Sequence, residues 1–255
     1  MKLTFGNDWR ATVTDEPLRI KPRFLGTTVD IAQYASAAQR VRFLADTFGS
    51  EDWLWDFPDV LRFAPYSRKL VGVQLRIPFE SHSVEDATHV RSLPEARPGG
   101  LRADEARDFR HEMCTVAYRA PGDTAFTCLR DLAVLDEPLQ ARIGIAPDLA
   151  LLVQQGTVVG WSLTDPIRYV TSAFADPDPT PPSPAVRRLF TDCLDLISLP
   201  LFYDVADGEP PALARLRATD EALRAQHEDH HRAAALREWI ATMVEYYGMV
   251  EDDGS

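Results

Sequence analysis

Leu149-Ala150-Leu151-Leu152-Val153-Gln154-Gln155-Gly156-Thr157-Val158-Val159-Gly160-Trp161-Ser162-Leu163 is the stretch that decides the fold. Two apolar runs of strand length flank Gln155-Gly156, and glycine supplies the positive φ that a tight turn needs. The pattern predicts a β-hairpin over 149–163, with a further strand over 142–146 before it. Upstream, 113–119 and 124–129 flank Ala120-Pro121-Gly122-Asp123, a second turn sequence with Pro and Gly in workable positions. In that hairpin Cys114, Val116 and Tyr118 are expected to share a face with Phe126 and Cys128. Residues 70–79 alternate at strand period, Val71, Val73, Leu75, Ile77 and Phe79 against Gly72, Gln74 and Arg76. Pro78 predicts an edge position or an early end to pairing there. Local hairpins, rather than strand–helix–strand crossovers, point to an antiparallel sheet in the middle of the chain.

Helical periodicity appears on both sides of this region. Ile31, Tyr34, Ala35, Ala38, Val41, Leu44 and Phe48 recur at three- and four-residue steps and predict a helix over 30–48. Thr27 or Thr28 would cap it and Gly49 would end it. Residues 81–100 read as a long polar loop and 101–110 as a short helix. Residues 176–184 hold five prolines in nine positions and read as a stiff linker or surface strap. Beyond it Ser183 is placed to cap a helix with Pro184 at its first position, carrying Val186, Leu189, Phe190, Cys193, Leu194 and Ile197 as an apolar stripe that Pro200 ends.

Residues 212–247 contain neither Pro nor Gly. Leu213, Leu216, Leu223 and Ala234 nevertheless fall on one side of a straight helix, and Leu236, Trp239, Ile240, Met243 and Tyr247 on the other. A break or kink near 228–234 is predicted. The expected fold is α+β: a mainly antiparallel sheet in the middle of the chain, one N-terminal helix and a helical C-terminal third. Residues 1–175 would form the sheet domain and 185–248 a helical region packed on it across the 176–184 junction, or the whole would form a single compact domain.

Composition narrows the function. The 255 residues carry 27 Lys and Arg against 39 Asp and Glu, a net charge of −12. With 45 % hydrophobic and 26 % charged residues the chain has the makeup of a folded domain. The acidity argues against nucleic acid and anionic membranes as partners, because both need clustered cations. The segment from Met1 to Asp8 lacks the apolar core of a secretory signal, and no run reaches the ~18 apolar residues of a membrane span. Three cysteines, Cys114, Cys128 and Cys193, without a C-x-x-C pair suit thiols in a reducing compartment. A cytoplasmic location is expected.

Phosphate-binding glycine loops, the dinucleotide fingerprint and the serine-nucleophile elbow are all missing from the sequence. One cluster matches a catalytic pattern: His227-Glu228-Asp229-His230-His231 satisfies H-E-x-x-H. On a helix His227 and His231 would face the same side and could share zinc or another divalent metal. Glu228 would then act as general base on the metal-bound water, and His82, His89 or His111 could complete the ligand set. The polar flanks Ala225-Gln226 and Arg232-Ala233, and the charge of Asp229 between the ligands, speak instead for a solvated stretch at a helix kink. Trp53, Trp55 and Phe57 form a row that could line a partner surface or one face of a half-buried strand. Two functions follow from these features. One is an acidic protein-binding module that docks a basic partner, as an immunity or inhibitor-like protein does. The other is a metal-dependent hydrolase built on His227, Glu228 and His231.

Overall fold

The computed structural model describes residues 1–6, 9–50, 59–83 and 93–247. The N-terminal part supplies β1 (Lys2–Thr4), β2 (Arg10–Thr14), β3 (Arg23–Phe24), β4 (Thr28–Ile31), helix α1 (Ala37–Ala45), β5 (Phe48–Gly49), β6 (Val60–Phe63) and β7 (Leu70–Arg76). The middle supplies β8 (Glu80–Ser83), β9 (Ala96–Pro98), β10 (Gly100–Ala103), β11 (Val116–Arg119), β12 (Ala125–Leu129), β13 (Ala141–Ala146), β14 (Leu149–Gln154) and β15 (Thr157–Thr164). Four helices follow: α2 (Pro184–Leu196), α3 (Leu201–Ala206), α4 (Pro210–Arg224) and α5 (His230–Tyr247). The fold is α+β, with the helices concentrated in the C-terminal part.

The β14–β15 hairpin is the hub. Gln155 and Gly156 both take positive φ, 49° and 76°, as the turn requires. One edge of β15 pairs with β14 along its length, and the other pairs with β12 and, at Thr157, with β1. Pairing continues from β14 to β13 and on to β9, while β1 pairs with β2 and β2 with β10. Only Gly99 separates β9 from β10, so these strands close into a ring, a small barrel. A Cβ at Gly99 would lie 3.0 Å from Val13 and 3.1 Å from Ile143, which is why the strand turns this corner on a glycine. Leu3, Ala11, Leu101, Ile143, Ile145 and Leu151 are buried in the continuous core. A second sheet, β3–β4–β7–β6–β5, is antiparallel throughout.

The helices share that core. Ser183 caps α2, accepting the Val186 N–H at 3.2 Å, and the predicted stripe from Val186 to Leu194 is buried. One apolar cluster runs from Leu3 through both sheets to Met243 of α5. Among the described residues no helix is long and apolar enough to cross a membrane.

Several expectations need correction. The helix expected over 30–48 is shorter. Thr28–Ile31 is strand β4, paired with β7, and Ser36 rather than Thr27 or Thr28 caps α1. The reason is Asp30, which is buried as the counter-ion of Arg23 at 2.6 Å and accepts the Tyr34 hydroxyl at 2.6 Å. The α1 that remains buries no residue, and Val41 is 67 % exposed. Residues 101–110 open as strand β10 rather than a helix, and the 81–100 region contributes β8 and β9. Of the two readings of Pro78, the edge position does not hold, since β7 lies inside its sheet, whereas the early end does, at Arg76. The β11–β12 faces are one residue out of phase with expectation: Ala117, not Val116, pairs with Cys128. Val116 and Tyr118 belong to a smaller apolar cluster with Leu152 and Val159.

The break in the C-terminal helical run falls between Arg224 and His230, slightly before the expected 228–234. Asp229 and Arg232, both buried, form an ion pair across it at 2.9 Å. Arg232 Nη2 also donates to the Asp178 and Thr180 carbonyls, at 2.8 and 2.6 Å, and Asp229 accepts the Ser183 N–H at 3.2 Å. The proline-rich segment is therefore a strap pinned to the start of α5. Removing one member of such a pair leaves the other charge buried and uncompensated. Asp229→Ala is expected to cost about 3 kcal/mol or more in urea unfolding. Pairing it with Arg232→Met should recover part of that loss, and a neutral single variant would contradict the assignment.

Candidate functional site

The HEDHH segment does not form the arrangement its spacing suggests. His227 lies in the connection between α4 and α5, outside any helix, whereas His231 is the second residue of α5. His227, Glu228 and His231 are all exposed; the buried member is Asp229, turned inward to Arg232. The His230 and His231 rings lie against each other, tilted by 37°, with centroids 4.0 Å apart. Among the described residues no group of three or more His, Cys, Asp or Glu could hold a metal ion. Of the other named histidines, His82 sits on β8 and His111 beside a small internal cavity. His89 lies outside the described residues, as do Trp53, Trp55 and Phe57.

That internal cavity gathers Asp59, His111 and Cys114, three groups with catalytic chemistry. Its volume is only about 10 Å³, room for one water molecule at most, so it admits no substrate. Burial raises the Cys114 thiol well above its ordinary value, so it is not an activated nucleophile. Burial and the Arg130 charge lower His111 to about 4.

A larger site lies where the β11–β12 hairpin meets the C-terminal helices. It is an open cleft of about 690 Å³. Arg119, the last residue of β11, forms its floor. Asp123, in the hairpin turn, grips Arg119 with both oxygens, at 2.6 and 2.9 Å. Asp123 holds a left-handed φ of 52°, and Thr191 donates its hydroxyl to the same carboxylate. Asp195 of α2 takes the third Arg119 contact at 2.5 Å and passes its other oxygen to Arg215 of α4. Arg215 also reaches Asp192 at 3.1 Å. Thr191, Asp192 and Asp195 share the polar face of α2, opposite the stripe buried against the sheets, which is why the helix aims them at the hairpin end. Burial opposes the Arg119 charge, but Asp123 and Asp195 outweigh it and raise its pKa.

The wall formed by α3 adds Asp204, whose carboxylate has no hydrogen bond or ion pair among the described residues. Ser81 and His82 of β8 line the cleft as well, and His82 is bonded to Glu80, outside the lining, at 2.8 Å. Aromatic rings stand on the segments that adjoin the cleft, outside its lining. Phe79 is 52 % exposed and Tyr203 59 % exposed, and Phe202 bridges them with centroid distances of 5.8 and 5.9 Å. The site thus holds an acidic surplus beside exposed aromatic surface, a combination that receives guanidinium or ammonium groups. Among the described residues, neither serine of the lining, Ser81 or Ser198, has its hydroxyl hydrogen-bonded to His82 or to a carboxylate.

The sequence signal for this cleft was partial. The polar face of α2 and the end of the β11 strand were both visible, but nothing local pairs Arg119 with Asp195, 76 residues away. Comparison with protein-family models finds no match, and comparison with curated proteins finds none either.

Asp59 generates a pH prediction. Burial raises its carboxyl to about 7, against the lowering effect of the Arg76 N–H at 2.7 Å and the Cys114 thiol at 3.7 Å. Because the folded pKa is raised, the folded state holds an extra proton between about pH 4 and 7, and stability from this group is lost as pH rises through that window. Asp59→Asn removes that loss. Relative to wild type, the variant should gain stability with pH by up to about 1.4 kcal/mol per unit from pH ~4 to ~7 and level off above. A difference that stays constant with pH in urea unfolding would contradict the raised value.

Proposed function

We propose that the protein is a non-catalytic binding module whose acidic cleft docks a basic protein partner, in the manner of an immunity or inhibitor-like protein. The observation that carries this reading is the Asp204 carboxylate, unpaired among the described residues, on the wall of a cleft that also holds Asp123 and Asp195. A cationic side chain entering there would meet Asp204 and the Asp192 and Asp195 edges without a competing free cation, since Arg119 and Arg215 are engaged by carboxylates. Phe79 and Tyr203 offer the rigid, amphipathic contact that concentrates binding energy at protein interfaces. The net charge of −12 would steer a basic partner from a distance. A cytoplasmic setting fits the three unpaired thiols. The metal-dependent hydrolase reading gains no supporting observation, because His227 and His231 stand on different elements.

The test is affinity capture from the host's own extract with the wild-type protein and two surface variants, Asp204→Arg and Tyr203→Ala. The wild type should retain a basic protein at about 0.05 M salt and release it near 0.5 M. Asp204→Arg should reduce retention about tenfold or more, and Tyr203→Ala should weaken it without changing its salt dependence. Identical captured sets for wild type and Asp204→Arg would overturn the proposal.

A further inference from the structure

On the other side of the barrel, the outer face of β13, β14 and β15 is built from small residues. Gly144 pairs with Ala150, and Ala150 with Ser162, so directly opposed positions on this face carry almost no side chain. The result is a cavity of about 590 Å³, within the range of small-molecule pockets. Pro17, Leu18, Pro98 and Pro147 give it an apolar lining. Its charged members are Arg142, Arg19 and Asp148. Asp148 is already engaged by the Tyr169 hydroxyl at 2.5 Å and by Arg168 at 3.5 Å.

Arg142 is different. Its Nη1 donates to the Pro94 carbonyl at 3.3 Å and its Nη2 to the Ser162 hydroxyl at 3.0 Å. Its Nε is buried with no acceptor. Among the described residues neither Arg142 nor Arg19 has a carboxylate partner, in a chain with 39 acidic residues where most buried or half-buried arginines have one. A half-buried guanidinium left with a neutral hydroxyl and a long carbonyl contact is electrostatically incomplete. Each terminal nitrogen uses one N–H and keeps another, which is the fork that accepts both oxygens of a carboxylate.

We propose that this cavity is a binding site for a carboxylate with an apolar body, its carboxylate paired with Arg142 and its apolar part laid against Pro17, Leu18, Pro98 and Pro147. Arg19, exposed at the mouth, adds a second attraction for the anion. The site is independent of the acidic cleft and of the basic partner proposed for it. Such a group can come from a free aliphatic acid or from the C-terminus of a peptide ending in apolar residues.

Isothermal titration of the full chain distinguishes these sources with two probe pairs: octanoate against octanamide, and acetyl-Ala-Leu-Leu with a free carboxylate against its C-terminal amide. At least one acid should bind at a single site, about tenfold or more tighter than its uncharged partner. Binding by octanoate alone assigns the site to free acids, and binding by the peptide acid alone assigns it to chain termini. Arg142→Gln should weaken the favoured acid about tenfold or more, and Arg19→Gln by a smaller factor. No binding of either acid up to about 5 mM, or equal binding of acid and amide, would overturn the proposal. The acid–amide contrast on the wild-type protein keeps it testable even where Arg142→Gln fails to fold.

Discussion

The fold depends on one aromatic junction. Phe24, on the two-residue strand β3, is fully buried and touches three other rings: Phe126 of β12 at 5.9 Å, Phe190 of α2 at 5.7 Å and Trp239 of α5 at 5.1 Å. Each ring belongs to a different part of the molecule, so one residue from the smaller sheet meets the barrel sheet and helices α2 and α5. Gly26 makes this approach possible. It holds a φ of +81°, and a Cβ there would come within 3.0 Å of the Trp239 ring. Burial of four aromatic side chains in tilted and edge-on contact supplies a large, non-directional attraction, and the geometry of the rings fixes how the layers meet.

Buried charge then fixes what apolar contact leaves free. Arg23, next to Phe24, is closed off by Asp30 and by the Tyr34 and Ala32 carbonyls at 2.7 and 3.2 Å. At the other side of the helical layer Asp229 and Arg232 hold the strap. Neither pair is a strong net source of stability, since desolvation offsets much of the attraction, but either arrangement excludes packings that would strand a charge. The same logic separates the two surface sites. In the acidic cleft, carboxylates outnumber the arginines they hold. In the outer cavity of the barrel, the one carboxylate of the lining, Asp148, is held by Tyr169 and Arg168, and Arg142 has no carboxylate partner among the described residues.

How much of this was readable depends on how local its cause is. The β14–β15 turn was legible because Gln155-Gly156 dictates it, and the start of α2 because Ser183 and Pro184 form a local cap. The break between α4 and α5 was legible because opposite apolar faces cannot both be buried by one straight rod. By contrast, Asp30 and Tyr34 looked helical because their true partner, Arg23, lies across a strand pair rather than one turn away. Ring closure rests on parallel pairings such as β9 with β13, between segments far apart in sequence, and periodicity carries no record of those. The HEDHH cluster shows the same limit from the other direction. Its letters match a metal motif, yet a charge pattern does not say which charge turns inward, and here it is Asp229.

The central claim is that sheets and helices share one core through the Phe24 junction. Differential scanning calorimetry of the full chain tests this most directly. A shared core predicts a single endotherm with equal calorimetric and van't Hoff enthalpies, and far-UV and near-UV circular dichroism that lose signal together. Two resolved transitions, with the helical signal separating from the aromatic one, would contradict it.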